Sequence, residues 1–332
     1  MPEGRPKQAP RSCSMGPALH RVPGEAGKRP ALTDRSPRKA RFAFIPGLPS
    51  NQDRRPLLQE LADSLFAVVF PTKCSICGGE VANVTGLGIC HQCWSGVERW
   101  EGISCEKCGL PIVSEQAADA VQVLCGACRA NDPRFDLARV FGIYRGSLRL
   151  LILQLKFRQR ERLGKRLGSL LAHAFEKLAG LADGGPLLIV PVPLFHLRER
   201  ERGYNQALLL ARGLKHRLGR VPGGKNIKID TGLLLRKRAT PPQAGLRLQA
   251  RHENVRNAFA VARPEHAAGR QVILVDDVMT TGATLSSCAA VLKKHGATKV
   301  YALAMARATP QFPDTESLPQ AASVDEFGRD WT

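Results

Sequence analysis

The 332-residue chain contains no apolar run near the ~20 residues needed to cross a bilayer, so no membrane span is expected. No secretory leader is expected, because the first 41 residues hold no continuous apolar stretch. That segment is Arg-rich and acid-poor, as transit peptides are, but its many prolines and glycines argue against an amphipathic helix. A cytoplasmic protein is therefore expected, and disulfides are disfavoured there. Aromatics are scarce, with 3 Trp, 3 Tyr and 12 Phe and no cluster of them, which weakens any reading that needs a stacking platform for unpaired bases. Acids are scarce as well: 29 Asp+Glu stand against 49 Lys+Arg, a net charge of +20.

The positive charge is concentrated. Residues 145–256 carry 24 Lys+Arg against 7 Asp+Glu, in a stretch that otherwise patterns as folded. Such an excess suits a polyanionic partner, either phosphorylated metabolites or nucleic acid, with a solvated basic surface as the plain alternative.

What the chain does have is cysteine in pairs. Cys74-x2-Cys77 is followed after twelve residues by Cys90-x2-Cys93, and Cys105-x2-Cys108 after sixteen by Cys125-x2-Cys128. Two thiolates on each of two tight turns fill a tetrahedron, the arrangement of closed structural zinc sites. The segment has few apolar residues of its own, so metal binding would supply its folding energy. Two zinc ions per chain are expected, paired sequentially, with interleaved ligation open at this point. Redox-active pairs fit less well, because four pairs exceed what a thioredoxin-like site uses. His91 reads as a bystander, Cys13 lies in the tail, and helix packing explains Cys288.

Around these pairs, four segments are expected. Residues 1–55 form a basic disordered tail, dispensable for folding and conceivably an over-long gene start given Met15. Residues 56–135 hold a short helix (Pro56–Pro71) and the double ribbon, 136–309 the main domain, and 310–332 an acidic disordered tail. Within the main domain, Tyr144–Leu178 has helical leucine spacing, "LLIVPVPL" reads as a buried strand, and Asn205–Leu218 reads as an amphipathic helix with an Asn cap. "LLLRKRATPPQAGL" looks too charged and proline-rich for a regular element. "VILV", "TLSSCAAVLKKHG" and "KVYALAMA" complete a strand–helix–strand order. This alternation implies an α/β fold, a doubly wound parallel sheet with helices on both faces.

The most informative stretch is "QVILVDDVMTTGATL", Gln271–Leu285. In a doubly wound sheet ligands bind at the carboxyl ends of strands, where "VILV" would deliver Asp276 and Asp277. The following Thr280, Thr281, Gly282, Ala283 and Thr284 would gather backbone N–H groups, hydroxyls and a helix N-terminus around one phosphate. Carboxylates there can accept from vicinal sugar hydroxyls or hold magnesium through water. The ligand described is a sugar 5′-phosphate with free hydroxyls, bound by carboxylates that stay solvated without it.

This stretch resembles the phosphoribosyl diphosphate (PRPP) motif of type I phosphoribosyltransferases. Together with "PVPLFHLRERERGYNQALLLAR", "RKRATPPQAGLRLQARHENVRNAF", "YALAMAR", the cysteine pairs and "YRGSLRLLILQLKF", it resembles the ComF/GntX family of competence-associated proteins over residues 57–307. The resemblance implies that Asp276 and Asp277 meet ribose hydroxyls and that Thr280–Thr284 meet the 5′-phosphate. It places Arg198, Arg200 and Arg202 near the diphosphate, and Arg238 on a mobile loop that stabilises the leaving group as the candidate catalytic residue. It implies PRPP with magnesium as ligand, and single-stranded DNA or DNA-uptake proteins as partners in natural transformation. No element for a nucleobase acceptor stands out, and Lys156-Phe157 lies upstream, where a substrate-covering hood is placed. The competing reading is a non-catalytic zinc-ribbon protein that binds single-stranded DNA.

Overall fold

The computed structural model describes residues 73–81, 87–113, 122–155, 161–179, 186–220, 226–239, 255 and 257–309. The expectations for both tails, the Pro56–Pro71 helix, Lys156-Phe157 and the loop from Thr240 onward fall outside these residues.

A five-stranded parallel sheet organises the molecule. Its strands are β1 (Leu137–Ile143), β2 (Leu187–Pro191), β3 (Lys228–Ile229), β6 (Gln271–Met279) and β7 (Lys299–Arg307), in the order β1-β7-β6-β2-β3. β4 (Leu234–Arg236) and β5 (Phe259–Val261) form a separate antiparallel pair. Two short helices, α1 (His91–Ser95) and α2 (Gly126–Ala130), carry cysteines of the ribbons, and α7 (Pro264–Ala267) precedes β6. The central strands are apolar on both faces because both faces are covered. Ile273 and Val275 of β6 join one core with α3 (Gly146–Gln154), α4 (Glu161–Ala179) and α6 (Gln206–Leu218). Val272 and Leu274 join the other with α8 (Ala283–Lys294) and the β4–β5 pair.

Local signals set the helix boundaries. Asn205 caps α6 by accepting from the Ala207 N–H at 2.9 Å, as its sequence position suggests. α8 starts from Gly282 at φ 82° and closes before Gly296 at φ 87°, both left-handed values that suit glycine. α4 and α6 approach unusually closely: a Cβ on Gly168 would lie 2.2 Å from the Leu210 carbonyl oxygen, and one on Gly213 would lie 2.0 Å from that of Lys165. Only glycine permits this crossing.

The structure departs from the sequence expectations at four elements. The continuous helical pattern of Tyr144–Leu178 is two helices, α3 and α4. β6 runs on through Met279 instead of stopping at Val275, because β7 is long enough to pair with its last residues, Asp276 with Ala304 and Met279 with Arg307. Leu234–Arg236 is a strand despite its charge, since β5 supplies a partner for its backbone. β1 has no sequence signal at all: five of its seven residues are buried, so no alternation marks it.

Candidate functional site

Connections from the two central strands run in opposite directions. β2 crosses over to β3 through α6, whereas the adjacent β6 crosses to β7 through α8. The β2/β6 boundary is therefore the switch point of the sheet, the place where ligands of open α/β sheets bind, beyond the carboxyl ends of the strands. Three segments meet there: the end of β6 with the Thr280–Thr284 loop, the chain after β2 leading into α5 (His196–Arg202), and β4.

On β6 the acids are tied to local backbone, with Asp276 Oδ1 accepting from the Asp277 N–H at 2.9 Å and Asp277 Oδ1 from the Val278 N–H at 2.7 Å. Asp276 and Asp277 are both half-buried at the end of β6. Burial raises the Asp276 pKa well above the ordinary carboxylate range, and the neighbouring Asp277 charge raises it further, while Arg236 opposes both. In the loop, Thr281 Oγ1 accepts from the Ala283 N–H at 3.2 Å, and the Ser286 N–H donates to Gly282 O at 2.8 Å. Thr280 and Thr284 are half-buried beside them. A Cβ on Gly282 would come 2.6 Å from Met279 Cε and within 3.6 Å of the Phe135 ring.

Arginines face these acids. Arg202 is partly desolvated, which lowers its pKa, and the Asp277 charge counteracts that. Its Nη1 donates to Gln206 Oε1 at 3.1 Å, and Gln206 Nε2 in turn donates to the Leu155 carbonyl at 3.1 Å. Tyr204 donates to the same carbonyl at 2.6 Å. The α5–α6 turn is thus pinned to the end of α3, and Arg202 is held in place. Arg236 lies beside Asp276 and stacks over the Phe259 ring at 5.5 Å. Arg198 is close enough to be felt by both Arg202 and Arg236. Arg238 is exposed at the outer end of β4, and Arg200 is exposed on α5. The sequence favoured Arg238. Arg236, two residues before Arg238, is near enough to Asp276 for each to feel the other's charge, and the β4–β5 pairing that fixes its place has no local sequence signal.

The cysteines gather sequentially. Cys74, Cys77, Cys90 and Cys93 have all Sγ atoms within 4.8 Å of one another, as do Cys105, Cys108, Cys125 and Cys128. Cys77–Cys90 and Cys108–Cys125 Sγ separations are 3.6 and 3.7 Å. A tetrahedral zinc with Zn–S bonds of about 2.3 Å has edges of about 3.8 Å, so the spacing fits the metal. Backbone N–H groups of Ile76 and Cys90 donate to Cys74 Sγ, and that of Cys125 to Cys105 Sγ. The thiols compete for charge: burial pushes Cys93 strongly up, and the Cys105 thiol and burial do the same to Cys108, while backbone donors bring Cys74 down to about 6 despite burial. A divalent cation is what would let all four ionise together. His91 is exposed and outside the first cluster, and Cys288 is a buried packing residue of α8.

The two clusters dock differently. The first sits on α3, where Gln154 Nε2 donates to the Ser75 carbonyl at 3.2 Å, and Arg166 of α4 lies 4.6 Å over the Trp94 ring. The second is bound to the sheet. The Ala138 N–H donates to Lys107 O at 2.8 Å, and buried Arg307 at the end of β7 points Nη2 at Cys108 Sγ, 3.8 Å away. The chain leaving it is fastened to α8 by the Arg134 N–H, which donates to Ser286 Oγ at 3.0 Å.

Known proteins share these parts. A double zinc ribbon domain matches residues 65–129, and a phosphoribosyl transferase domain matches residues 206–318. Competence protein F of Haemophilus influenzae is 33% identical over 241 residues, covering 72% of this chain and 98% of that one. The chain belongs to the ComF/YhgH family. DNA utilization protein YhgH of Salmonella typhi is also 33% identical, over 71% of this chain and 97% of its own, and competence protein ComFC of Bacillus subtilis is 27% identical over 63% and 79%. In this ComF/YhgH member the parallel sheet is the phosphoribosyltransferase fold, and the two four-cysteine clusters are the metal sites of the double ribbon. Among the described residues no helix is long and apolar enough to cross a membrane.

Proposed function

We propose that the crevice beyond β2 and β6 binds PRPP with magnesium and transfers its phosphoribosyl group to an acceptor, in the service of DNA uptake. The observation that carries this is the convergence of two adjacent carboxylates, a Thr-Gly-Thr loop at the N-terminus of α8, and Arg198, Arg202 and Arg236 at one switch point. The loop would take the 5′-phosphate and the carboxylates the ribose hydroxyls. Magnesium suits the oxygen donors of Asp276 and Asp277, reached through water, and would neutralise diphosphate charge. In the transfer the C1–O bond to diphosphate breaks, its electron pair leaves with the diphosphate, and the acceptor forms the new bond to C1. The arginines would stabilise the charge that accumulates on the departing group, with Arg238 added if the loop beyond it closes.

A second reading takes the fold as a binding module for single-stranded DNA. The observation favouring it is that the relatives are described as competence and DNA utilization proteins.

Titration calorimetry with PRPP–Mg²⁺ and with oligo-dT separates the two. Asp276→Asn combined with Asp277→Asn removes charged acceptors worth about 1.5–3 kcal/mol each, so PRPP affinity should fall at least about tenfold while oligo-dT binding holds. Unchanged PRPP binding would end the transferase reading. The single Asp276→Asn variant has a second readout. An acid whose folded pKa is raised stabilises the fold fully below its unfolded value, about 3.9, and that contribution is lost as pH rises through the folded value. The variant should therefore match wild type in melting temperature near pH ~4 and exceed it near pH ~8.

A further inference from the structure

The exposed side of α6 is unlike the crevice at its N-terminus. Arg212, Lys215, His216 and Arg220 line an open groove of about 650 Å³ with Ile229 of β3 at its floor, and no acidic side chain is among the described groups lining it. Those four basic side chains are all exposed. Arg220 donates to His216 Nε2 at 3.1 Å, which sets the guanidinium over the helix end. The nearest acid along β3, Asp230, is already engaged by Arg263 and His266, so it leaves the groove's charge uncompensated. The wall is rigid, because the Gly213–Lys165 approach fixes α6 against α4.

Its place separates it from the crevice. α6 is about 20 Å long, runs from the carboxyl ends of the strands, and returns to the start of β3. The groove therefore lies beside the edge strand β3, toward the amino ends of the strands, with Ile229 in register with Ile273, three residues before Asp276. Basic residues in a last helical turn offset the helix dipole, which accounts for Lys215 and His216. It does not account for Arg212, a turn earlier, or for Arg220, beyond the helix. Arg212 and Arg220 are separated by about 12 Å if the helical rise continues, a span that meets successive phosphates of a strand and not one phosphate group.

We propose that this groove binds the phosphodiester backbone of a single DNA strand, independently of the sugar-phosphate crevice. The partner class rests on the DNA role of the family, whereas the location rests on the groove itself. Contacts here read phosphates and not bases, since no aromatic side chain is among the described groups lining the groove, so binding should be indifferent to sequence and steeply dependent on salt.

The test uses the full-length protein with fluorescent oligo-dT, followed by anisotropy from low to high salt, and Arg212→Gln combined with Lys215→Gln and Arg220→Gln. The three side chains are exposed, so the melting temperature should not move. Oligo-dT affinity should fall by about tenfold or more at low salt, and the log–log salt slope should shrink by about 2, at ~0.7 for each lost single-strand phosphate contact. PRPP binding should be unchanged, which keeps this outcome distinct from failure of the crevice reading. As a measurement on the unmutated protein, oligo-dT should shield Lys215 from acetylation. Wild type that fails to bind oligo-dT would overturn the proposal. So would a variant that binds with the same affinity and slope, which would move the DNA elsewhere on the molecule, or an acidic polypeptide that displaces oligo-dT from wild type yet leaves Lys215 unshielded.

Discussion

The two cysteine ribbons share a spacing pattern and a ligand set, yet they are built into the molecule in different ways. The first lies on helices: its buried side chains Ile76, Val81 and Ile89 join the core of α3 and α4, far along the chain from the Thr280–Thr284 loop. The second lies against the sheet. Its cysteines share a core with Val272 and Leu274 of β6 and with α8, and Arg307 brings a buried positive charge to Cys108. A zinc ion held by four thiolates leaves the site with a net double negative charge, so a desolvated guanidinium beside it offsets that charge where water cannot. The thiolates in turn compensate the burial that lowers the Arg307 pKa. One ribbon is thus docked on the helices of the phosphoribosyltransferase-fold domain, and the other on its sheet and α8.

The sharpest way to break this comparison is to remove each metal in turn. Structural zinc supplies about 10–16 kcal/mol in small zinc domains, so losing either ion should cost stability. Cys108→Ser should lower zinc content to about one per chain by elemental analysis and weaken PRPP binding by about tenfold or more. Cys77→Ser should lower zinc content equally, with PRPP affinity close to that of wild type. Equal losses of affinity in the two variants would erase the distinction.

A smaller perturbation targets the connection itself. Phe135, 1% exposed, follows the second ribbon and packs beside Gly282 in the Thr280–Thr284 loop. Phe135→Ala should cost about 3–5 kcal/mol in denaturant unfolding, and PRPP binding should weaken even where the protein is fully folded. Full affinity in the folded variant would show that the ring is core filling only.

How much of this was legible from sequence follows from how local each signal is. The Cys-x2-Cys spacings are local, and each pair turned up in a four-cysteine cluster; "DDVMTTGAT" is local too, but its first four residues are the end of β6 and only the rest is the turn into α8. Arg236 carried no local signal, because its place depends on the pairing of β4 with β5, where it faces Phe259 across the ladder. Gln206 looked like a helix residue, and its bridge from Arg202 to the Leu155 carbonyl depends on the end of α3, 51 positions away. Arg307 and Cys108 are 199 positions apart, and only the topology brings them together.

The smallest expected effect concerns the first ribbon. Its cation–π contact between Arg166 and Trp94 is partly solvated and worth about 0.5–1 kcal/mol. Arg166→Ala should lower the melting temperature slightly and leave both zinc content and PRPP binding intact. A loss of PRPP affinity would mean that the first ribbon, too, reaches the crevice.

β1 is an outer strand of the main sheet, and against it lie the chain joining the two ribbons and the first turn of the second ribbon. The Trp100 N–H donates to Phe141 O and the Ala138 N–H donates to Lys107 O, both at 2.8 Å, while Glu98 O lies so near Gly142 that a Cβ there would approach it to 2.5 Å. An open parallel edge of this kind otherwise recruits strands from other molecules. The ribbon segment therefore takes the place of a sixth strand at β1, and cutting it away would lay that edge bare to solvent.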